Sequence, residues 1–224
     1  MNATVCAIMA KQPHVGRTKT RLSPPLSPRQ AAALYEALLC DVIALVDSQA
    51  GIDLAVAISP PSSQPFFRQI TPSDAYLLPV EGSDIGECLC QVFSHLPEMG
   101  WQKVLALNAD GPTLPPAYLQ QAVDLLDESD IVLGPALDGG YYLVGMRRPH
   151  VGIFQGIAWS TAQVLTQTLE RAAVLGLYVG MTPEWYDVDT AADLLRLQVD
   201  LNSLPLDRLV HTRRFFAGSG KMDF

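Results

Sequence analysis

The sequence predicts a three-layer α/β/α domain on a mainly parallel, Rossmann-like sheet with a small antiparallel excursion. Three observations lead there. Short apolar runs alternate with longer segments of helical periodicity, as a parallel sheet with crossover helices requires. Some runs, such as Val104 to Leu107, are apolar throughout, which marks strands buried on both faces. The Asp138-Gly139-Gly140 turn joins two strand-like runs directly, and that breaks the parallel rhythm.

The elements follow in order. Val5 to Ala10 reads as a buried first strand, and a basic, proline-rich loop runs from Lys11 to Leu26. Ser27 is an N-cap and Pro28 a first helical residue. Ala31, Leu34, Leu38, Val42, Leu45 and Val46 then recur at helical spacing. Asp53 to Ser59 is a second strand, stopped by Pro60 and Pro61, and Ala75 to Val80 a short third. Ser83-Asp84 is expected to cap a helix from Ile85 to His95. The fourth strand ends in Asn108-Ala109-Asp110-Gly111-Pro112, and Pro115-Pro116 opens a helix reaching Asp127. Ile131 to Pro135 and Gly140 to Met146 are strands on either side of the Asp-Gly-Gly turn. Ser160-Thr161 is expected to cap a helix through Leu175. Tyr178 to Met181 is a last strand, and Thr190 to Leu201 the last clear helix. Residues 1–201 are expected to form one domain. Residues 202–224 lack periodicity and read as a C-terminal tail, either loose or an arm that packs on a partner subunit in a homodimer.

Composition narrows the function. A chain of 224 residues, 49% hydrophobic, folds by burial and supports one sizeable core. A net charge of -8 argues against binding to nucleic acid, which needs a basic field. No apolar stretch reaches membrane-spanning length, and Met1-Asn-Ala-Thr-Val does not begin a signal peptide. Cys6, Cys40, Cys88 and Cys90 have neither zinc-knuckle nor redox spacing, and the four histidines show no ligand spacing. A reduced, cytoplasmic chain is the expectation. Gly218-Ser-Gly220-Lys221 is not a phosphate-binding P-loop, because Phe215 stands where the motif needs glycine and Met222 where it needs Ser or Thr.

Two acidic clusters stand out against this background. Asp110 lies just past the end of a buried strand, the edge where open α/β sheets bind ligands. A carboxylate there adds little to packing but can hold a hard cation against phosphate oxygens. The second cluster, Trp185-Tyr-Asp187-Val-Asp189-Thr190, also precedes a helix. Helix capping alone would also select Asp189 or Thr190. With no thiolate or imidazole cluster, the metal these oxygens suit is Mg²⁺ or Mn²⁺ rather than zinc.

The loop after the first strand carries four cations, Lys11, Arg17, Lys19 and Arg21. Either it is a solvated charged loop or it binds phosphate, as loops in that position do. Gly82-Ser83-Asp84-Ile85-Gly86 is either a turn and cap or a close backbone approach to a base or ribose. Asp138-Gly139-Gly140 is first a hairpin turn. Tyr141 and Tyr142 alternate beyond it, so one is expected in the core and one in a cleft.

Six segments occur in order: Ala10 to Leu22, Gly82 to Gly86, Asp110-Gly-Pro-Thr-Leu114, Leu133 to Leu143, Trp159-Ser-Thr161 and Trp185 to Thr190. Over residues 4 to 200 they resemble a bacterial family of glycosyltransferases associated with radical-SAM and selenodomain proteins, also described as arsenosugar-biosynthesis glycosyltransferases. The resemblance implies a nucleotide-diphospho-sugar transferase fold of the GT-A kind, with Asp189, and Asp187 beside it, joining Asp110 on the metal. It departs at one place. Family members carry Gly-Ser-Asp or Gly-Thr-Asp before Cys-Pro or Ser-Pro, where this chain has Asn108-Ala109-Asp110-Gly111-Pro112.

The first function this implies is metal-dependent glycosyl transfer from a nucleotide-diphospho-sugar to a small-molecule acceptor. Asp110 and Asp138 would be catalytic, and Lys11, Arg17, Lys19, Arg21, Ser83 and Asp84 would bind the nucleotide. Gly139, Gly140, Tyr141 and Tyr142 would face the sugar or acceptor, and Asp110, Asp187 and Asp189 the metal. The alternatives are a nucleotidyltransferase that releases pyrophosphate from an NTP, and a non-catalytic nucleotide-binding protein.

Overall fold

The computed structural model describes residues 2–218 and contains one seven-stranded sheet. The strands are Thr4–Ala10 (β1), Ile52–Ile58 (β2), Tyr76–Pro79 (β3), Lys103–Asn108 (β4), Ile131–Pro135 (β5), Tyr141–Met146 (β6) and Val179–Met181 (β7). Their order across the sheet is β3-β2-β1-β4-β6-β5-β7. β6 runs antiparallel to both β4 and β5, which is the excursion expected from the Asp-Gly-Gly turn. The strand that ends before Asp110 lies mid-sheet, as its apolar run requires. Ala10 pairs with Ile58 and Met9 with Asn108, so the carboxyl ends of β1, β2 and β4 finish at one edge.

Alternation along β1 sorts its side chains between the two faces. Cys6 and Ile8 meet a layer built by Pro28–Asp47 (α1), Gln64–Ile70 (α2) and Pro116–Leu125 (α4). Val5 and Ala7 meet Ile85–Glu98 (α3) and Val164–Val174 (α5). Each face is covered by apolar side chains, which is why the central strands carry so little polar sequence. A third cluster lies outside this pair of layers. There Leu34 and Leu38 of α1 pack with Leu194, Leu197 and Leu201 of Ala191–Ser203 (α6), and with Tyr186, Val188 and Leu22.

Local signals set the helix starts. Ser27 and Gln30 form a reciprocal capping box at α1, with Pro28 in the first turn. Asp84 accepts from the Glu87 N–H and caps α3. Thr190 and Asp193 form the capping box of α6.

The structure departs from the sequence reading in four places. Ser160-Thr161 does not cap α5. Thr161 Oγ1 instead donates to Ala158 O and accepts from Gln163 N–H, closing a turn three residues before the helix begins. α3 continues past His95 and keeps Pro97 in its last turn, at the loss of one bond near the end of the helix ladder. α2 escaped notice because it is seven residues long, too short for a periodic stripe; fully buried Phe67 anchors it.

The fourth departure is a further helix, Val210–Gly218 (α7), which lies against α1 of the same chain. Residues 219–224, with the Ser219-Gly220-Lys221 stretch, lie outside the described residues. Asp41, 5% exposed on α1, accepts the N–H groups of His211 at 3.0 Å and Thr212 at 2.8 Å. One buried carboxylate thus satisfies two donors at the start of α7. Asp41→Ala should lower stability by about 2 kcal/mol, because both donors lose their partner. Asp41→Asn should recover part of that. Urea denaturation reads both, and an unchanged midpoint in Asp41→Ala would mean that α7 docks by its apolar face alone.

Candidate active site at the carboxyl edge of the sheet

From β1 the sheet grows one way through β2 and the other way through β4. Between β1 and β4 the chain therefore diverges to opposite sides, leaving a crevice at the carboxyl edge. The loop after β1 enters it. Arg17 and Thr18 both donate their N–H to His14 O, and Gly16 takes a positive φ of 77° to close the turn. Leu22, fully buried, pins the far end of the loop beneath α6. Between these anchors Lys19 is held left-handed, at φ 51° and ψ 43°. That backbone costs a non-glycine residue about 1 kcal/mol or more, and such outliers cluster at ligand sites.

The Lys19 side chain is only 6% exposed. Its Nζ lies 2.8 Å from Asp110 Oδ1 and also donates to Asp189 Oδ1. The two carboxylates, far apart in sequence, thus converge on one cation, and their oxygens are at most about 6 Å apart, twice a hydrogen-bond length. Burial alone would pull the Lys19 pKa down, but the Asp110 and Asp189 charges outweigh it and hold the ammonium above its ordinary value. The Tyr35 ring lies under the same ammonium, 5.9 Å from its centroid, and the Tyr35 hydroxyl accepts from Lys11 N–H. Burial and the Asp110 charge raise the Tyr35 phenol above its usual range, so it stays neutral.

Backbone contacts bring the two acidic segments together. Val188 N–H donates to Asp110 O at 2.9 Å. A Cβ on Gly111 would come within 3.3 Å of Tyr186 O and 3.4 Å of Asp187 Oδ1, so glycine permits the close approach. Because Thr190 and Asp193 do the capping of α6, the Asp189 carboxylate is left for Lys19. Asn108 has a definite task. Its Nδ2 donates to Asp187 Oδ1 at 2.7 Å, and its Oδ1 accepts from the Asp110 N–H at 3.4 Å.

The crevice holds a cavity of about 530 Å³, within the usual range for a small-molecule site. It brings together eight predicted site residues: Lys11, Arg17, Lys19, Arg21, Asp110, Asp138, Asp187 and Asp189. Among the described residues Lys11, Arg17 and Arg21 form no ion pair, whereas Lys19 forms two. Asp138 is fixed at the wall by accepting the Gly140 N–H at 2.9 Å.

Six expected residues do not line the cavity. Asp84 is occupied as the α3 cap, and Ser83 N–H donates to Glu87. Gly139 sits at φ 88° against Ala162, where a Cβ would meet Ala162 O at 2.3 Å, and Gly140 serves the turn. Tyr142 is buried, its hydroxyl paired with Thr182 and Pro183. Tyr141, expected to face a cleft if Tyr142 faced the core, packs its ring edge-on to Trp159. Ile85, from the Gly82 to Gly86 segment, lines the cavity, and so does Tyr35, which had not been singled out. The only signal for Tyr35 is a phenol on the buried side of α1, about two turns after its cap.

The donor chemistry fits a divalent ion. Two hard oxygens already share one cation, the Lys19 ammonium. Among the described residues no cluster of three or more His, Cys, Asp or Glu side chains is placed to hold a metal. Mg²⁺-type sites commonly use one or two carboxylates and complete the shell with substrate phosphate and water.

Asp187 is the carboxylate that Lys19 does not reach. Burial, and then the Asp110 charge, raise its pKa from 3.8 to about 7, partly opposed by the Asn108 hydrogen bond. The folded protein therefore binds this proton more tightly than the unfolded chain does. The stabilisation is complete below the ordinary carboxylate pKa and is lost as pH rises from 3.8 to about 7. Asp187→Asn removes the titration. Its stability relative to the parent should rise by roughly 4 kcal/mol between pH 4 and pH 8, measured by urea denaturation without metal. A constant difference across that range would mean that Asp187 titrates normally.

A crystal structure described as a "putative nucleotide-diphospho-sugar transferase" from Desulfovibrio desulfuricans G20 matches with a TM-score of 0.88 and 28% identity, covering 97% of this chain and 96% of that one. CMP:2-keto-3-deoxy-manno-octonic acid synthetase complexed with CTP matches with a TM-score of 0.57 and 14% identity, over 89% of this chain and 98% of that one. The 4-diphosphocytidyl-2C-methyl-D-erythritol synthase of Anaerococcus prevotii DSM 20548 matches with a TM-score of 0.60 and 9% identity, over 89% and 96%. The last two likenesses show a shared fold. No curated protein matches significantly. No helix among the described residues is long and apolar enough to cross a membrane. The fold is that of nucleotide-sugar transferases and nucleotidyltransferases, and residues 42–161 match the model of an uncharacterized protein family conserved in bacteria, DUF2064, to which the chain belongs.

Proposed function

We propose that the chain is a metal-dependent transferase that uses a nucleotide-diphospho-sugar donor. The observation that carries this reading is the convergence of Asp110 and Asp189 on one cation, at the switch point of the sheet and beside a loop of unpaired cations. The likeness to the Desulfovibrio protein along nearly the whole chain supports the donor class. Asp110 and Asp189 are the residues to hold Mg²⁺ or Mn²⁺, with Asp187 behind them on Asn108. When bound, the ion neutralises the diphosphate leaving group. Arg17 and Arg21 grip phosphate oxygens with their planar forks, and Lys11 adds a point charge. Asp138, fixed by Gly140 N–H, takes the proton of the acceptor hydroxyl.

One observation favours a second reading. Lys11, Arg17 and Arg21 supply more unpaired charge than the two negative charges of a bridged diphosphate need, and would also suit a triphosphate. In that reading an NTP is joined to a phosphorylated small molecule and pyrophosphate is released.

A panel of nucleotide-sugars and NTPs, assayed with Mn²⁺ and with EDTA, separates the two. Donor-sugar cleavage with release of nucleoside diphosphate is expected with Mn²⁺ and lost with EDTA. Pyrophosphate release from NTPs, with nucleotide-sugars untouched, would transfer the assignment to the second reading. Equal turnover in EDTA would remove the metal from the mechanism. Arg21→Ala should weaken nucleotide binding about tenfold, as the loss of one charge-assisted contact does, with the fold intact. Unchanged affinity by calorimetry would make the loop a solvated surface.

A further inference from the structure

Lys19 differs from the other cations of its loop. Lys11, Arg17 and Arg21 are exposed and unpaired among the described residues, whereas the Lys19 side chain is 6% exposed and bridges two carboxylates. A strained left-handed backbone aims it there, with the loop fastened on one side by the His14 turn and on the other by buried Leu22. Such a placement is not what a residue serving only as a phosphate contact in an open cleft would need.

The ammonium and a divalent ion compete for the same oxygens. An ion bound to Asp110 and Asp189 would lie within a few ångströms of Lys19 Nζ, and like charges that close in a partly buried site repel strongly. The Lys19 stem is long and flexible, so the ammonium can leave without moving the loop backbone. The cavity that would receive it is also lined by Arg17 and Arg21, where phosphate charge is best accommodated.

We infer that Lys19 is a built-in counter-ion: it holds the cation position between Asp110 and Asp189 in the free protein and yields it to a divalent ion only when nucleotide phosphates offer the ammonium a new partner. The inference rests on the metal-dependent reading above and deepens it. It makes metal and nucleotide binding mutually dependent, and by linkage each strengthens the other by the same factor. It also keeps the bare protein from collecting divalent ions that would occupy the site without substrate.

The test is a calorimetric titration of the full chain with Mn²⁺, alone and in the presence of ADP, CDP, GDP and UDP in turn. Lys19→Met is compared with the parent, and Lys19→Gln replaces it should the methionine variant not fold. The variant should bind bare Mn²⁺ at least about tenfold more tightly than the parent, and the tightening of Mn²⁺ by a nucleoside diphosphate should shrink by a similar factor. A variant that binds bare Mn²⁺ no better than the parent overturns the counter-ion role, provided that the parent binds Mn²⁺ together with a nucleotide. If neither protein binds Mn²⁺ under any of these conditions, the metal-dependent reading itself fails, and the counter-ion role falls with it.

Discussion

The ammonium of Lys19, shared by Asp110 and Asp189, is the contact on which the site depends. It joins three segments that meet nowhere else in sequence: the loop after β1, the end of β4 and the approach to α6. Two carboxylates brought this close without a cation would repel one another, and an ammonium this buried without carboxylates would lose its charge. Each makes the other tenable. The neighbouring residues follow from that constraint. Asp187, which the ammonium does not reach, is held by the Asn108 amide, and burial and Asp110 raise its pKa to about 7. Tyr35 closes the floor as a neutral phenol.

The fold makes this arrangement accessible. Level strand ends at β1, β2 and β4 form a common rim, and divergence of the chain at the β1–β4 boundary opens the rim into a crevice. Gly111 lets the backbone of the 185–190 segment press against the β4 end, and the Val188 N–H to Asp110 O bond fixes that approach. α7 covers α1, and its first turn is secured on Asp41. The rim and this helical cap share one apolar cluster, in which Phe215 and Phe216 of α7 pack with Leu22, Tyr186 and Val188.

Much of this was legible in the chain. The fully apolar Val104 to Leu107 run could only be a central strand, so the position of Asp110 at a sheet edge followed from burial. Ser27-Pro28 and Thr190 carry their caps in local chemistry, which is why α1 and α6 begin where expected. The convergence of Asp110 and Asp189 was readable as two oxygen clusters at strand-to-helix junctions, with a divalent cation expected between them. The identity of that cation in the free protein was not, since it depends on a left-handed backbone at Lys19 that no residue type there demands. Tyr141 and Tyr142 misled for a similar reason. Alternation says that they face opposite ways, but not that packing against Trp159 on one face and Thr182 on the other leaves neither at the cavity. Ser83 and Asp84 read equally as cap or ligand, and the structure uses Asp84 as the cap. Against Gly-Ser-Asp or Gly-Thr-Asp the chain loses a hydroxyl at Ala109 and gains Asn108, and Asn108 orders Asp187 and the Asp110 backbone at once.

The central claim is that Asp110 and Asp189 form one shared cation site for a phosphate-bearing substrate. Anomalous diffraction from crystals grown with Mn²⁺ and a nucleoside diphosphate tests it most directly. The account predicts one manganese peak between the two carboxylates, with phosphate oxygens completing its shell and Lys19 drawn onto the phosphates. A nucleotide bound in the crevice with manganese absent from that position, and Lys19 still bridging Asp110 and Asp189, would contradict it.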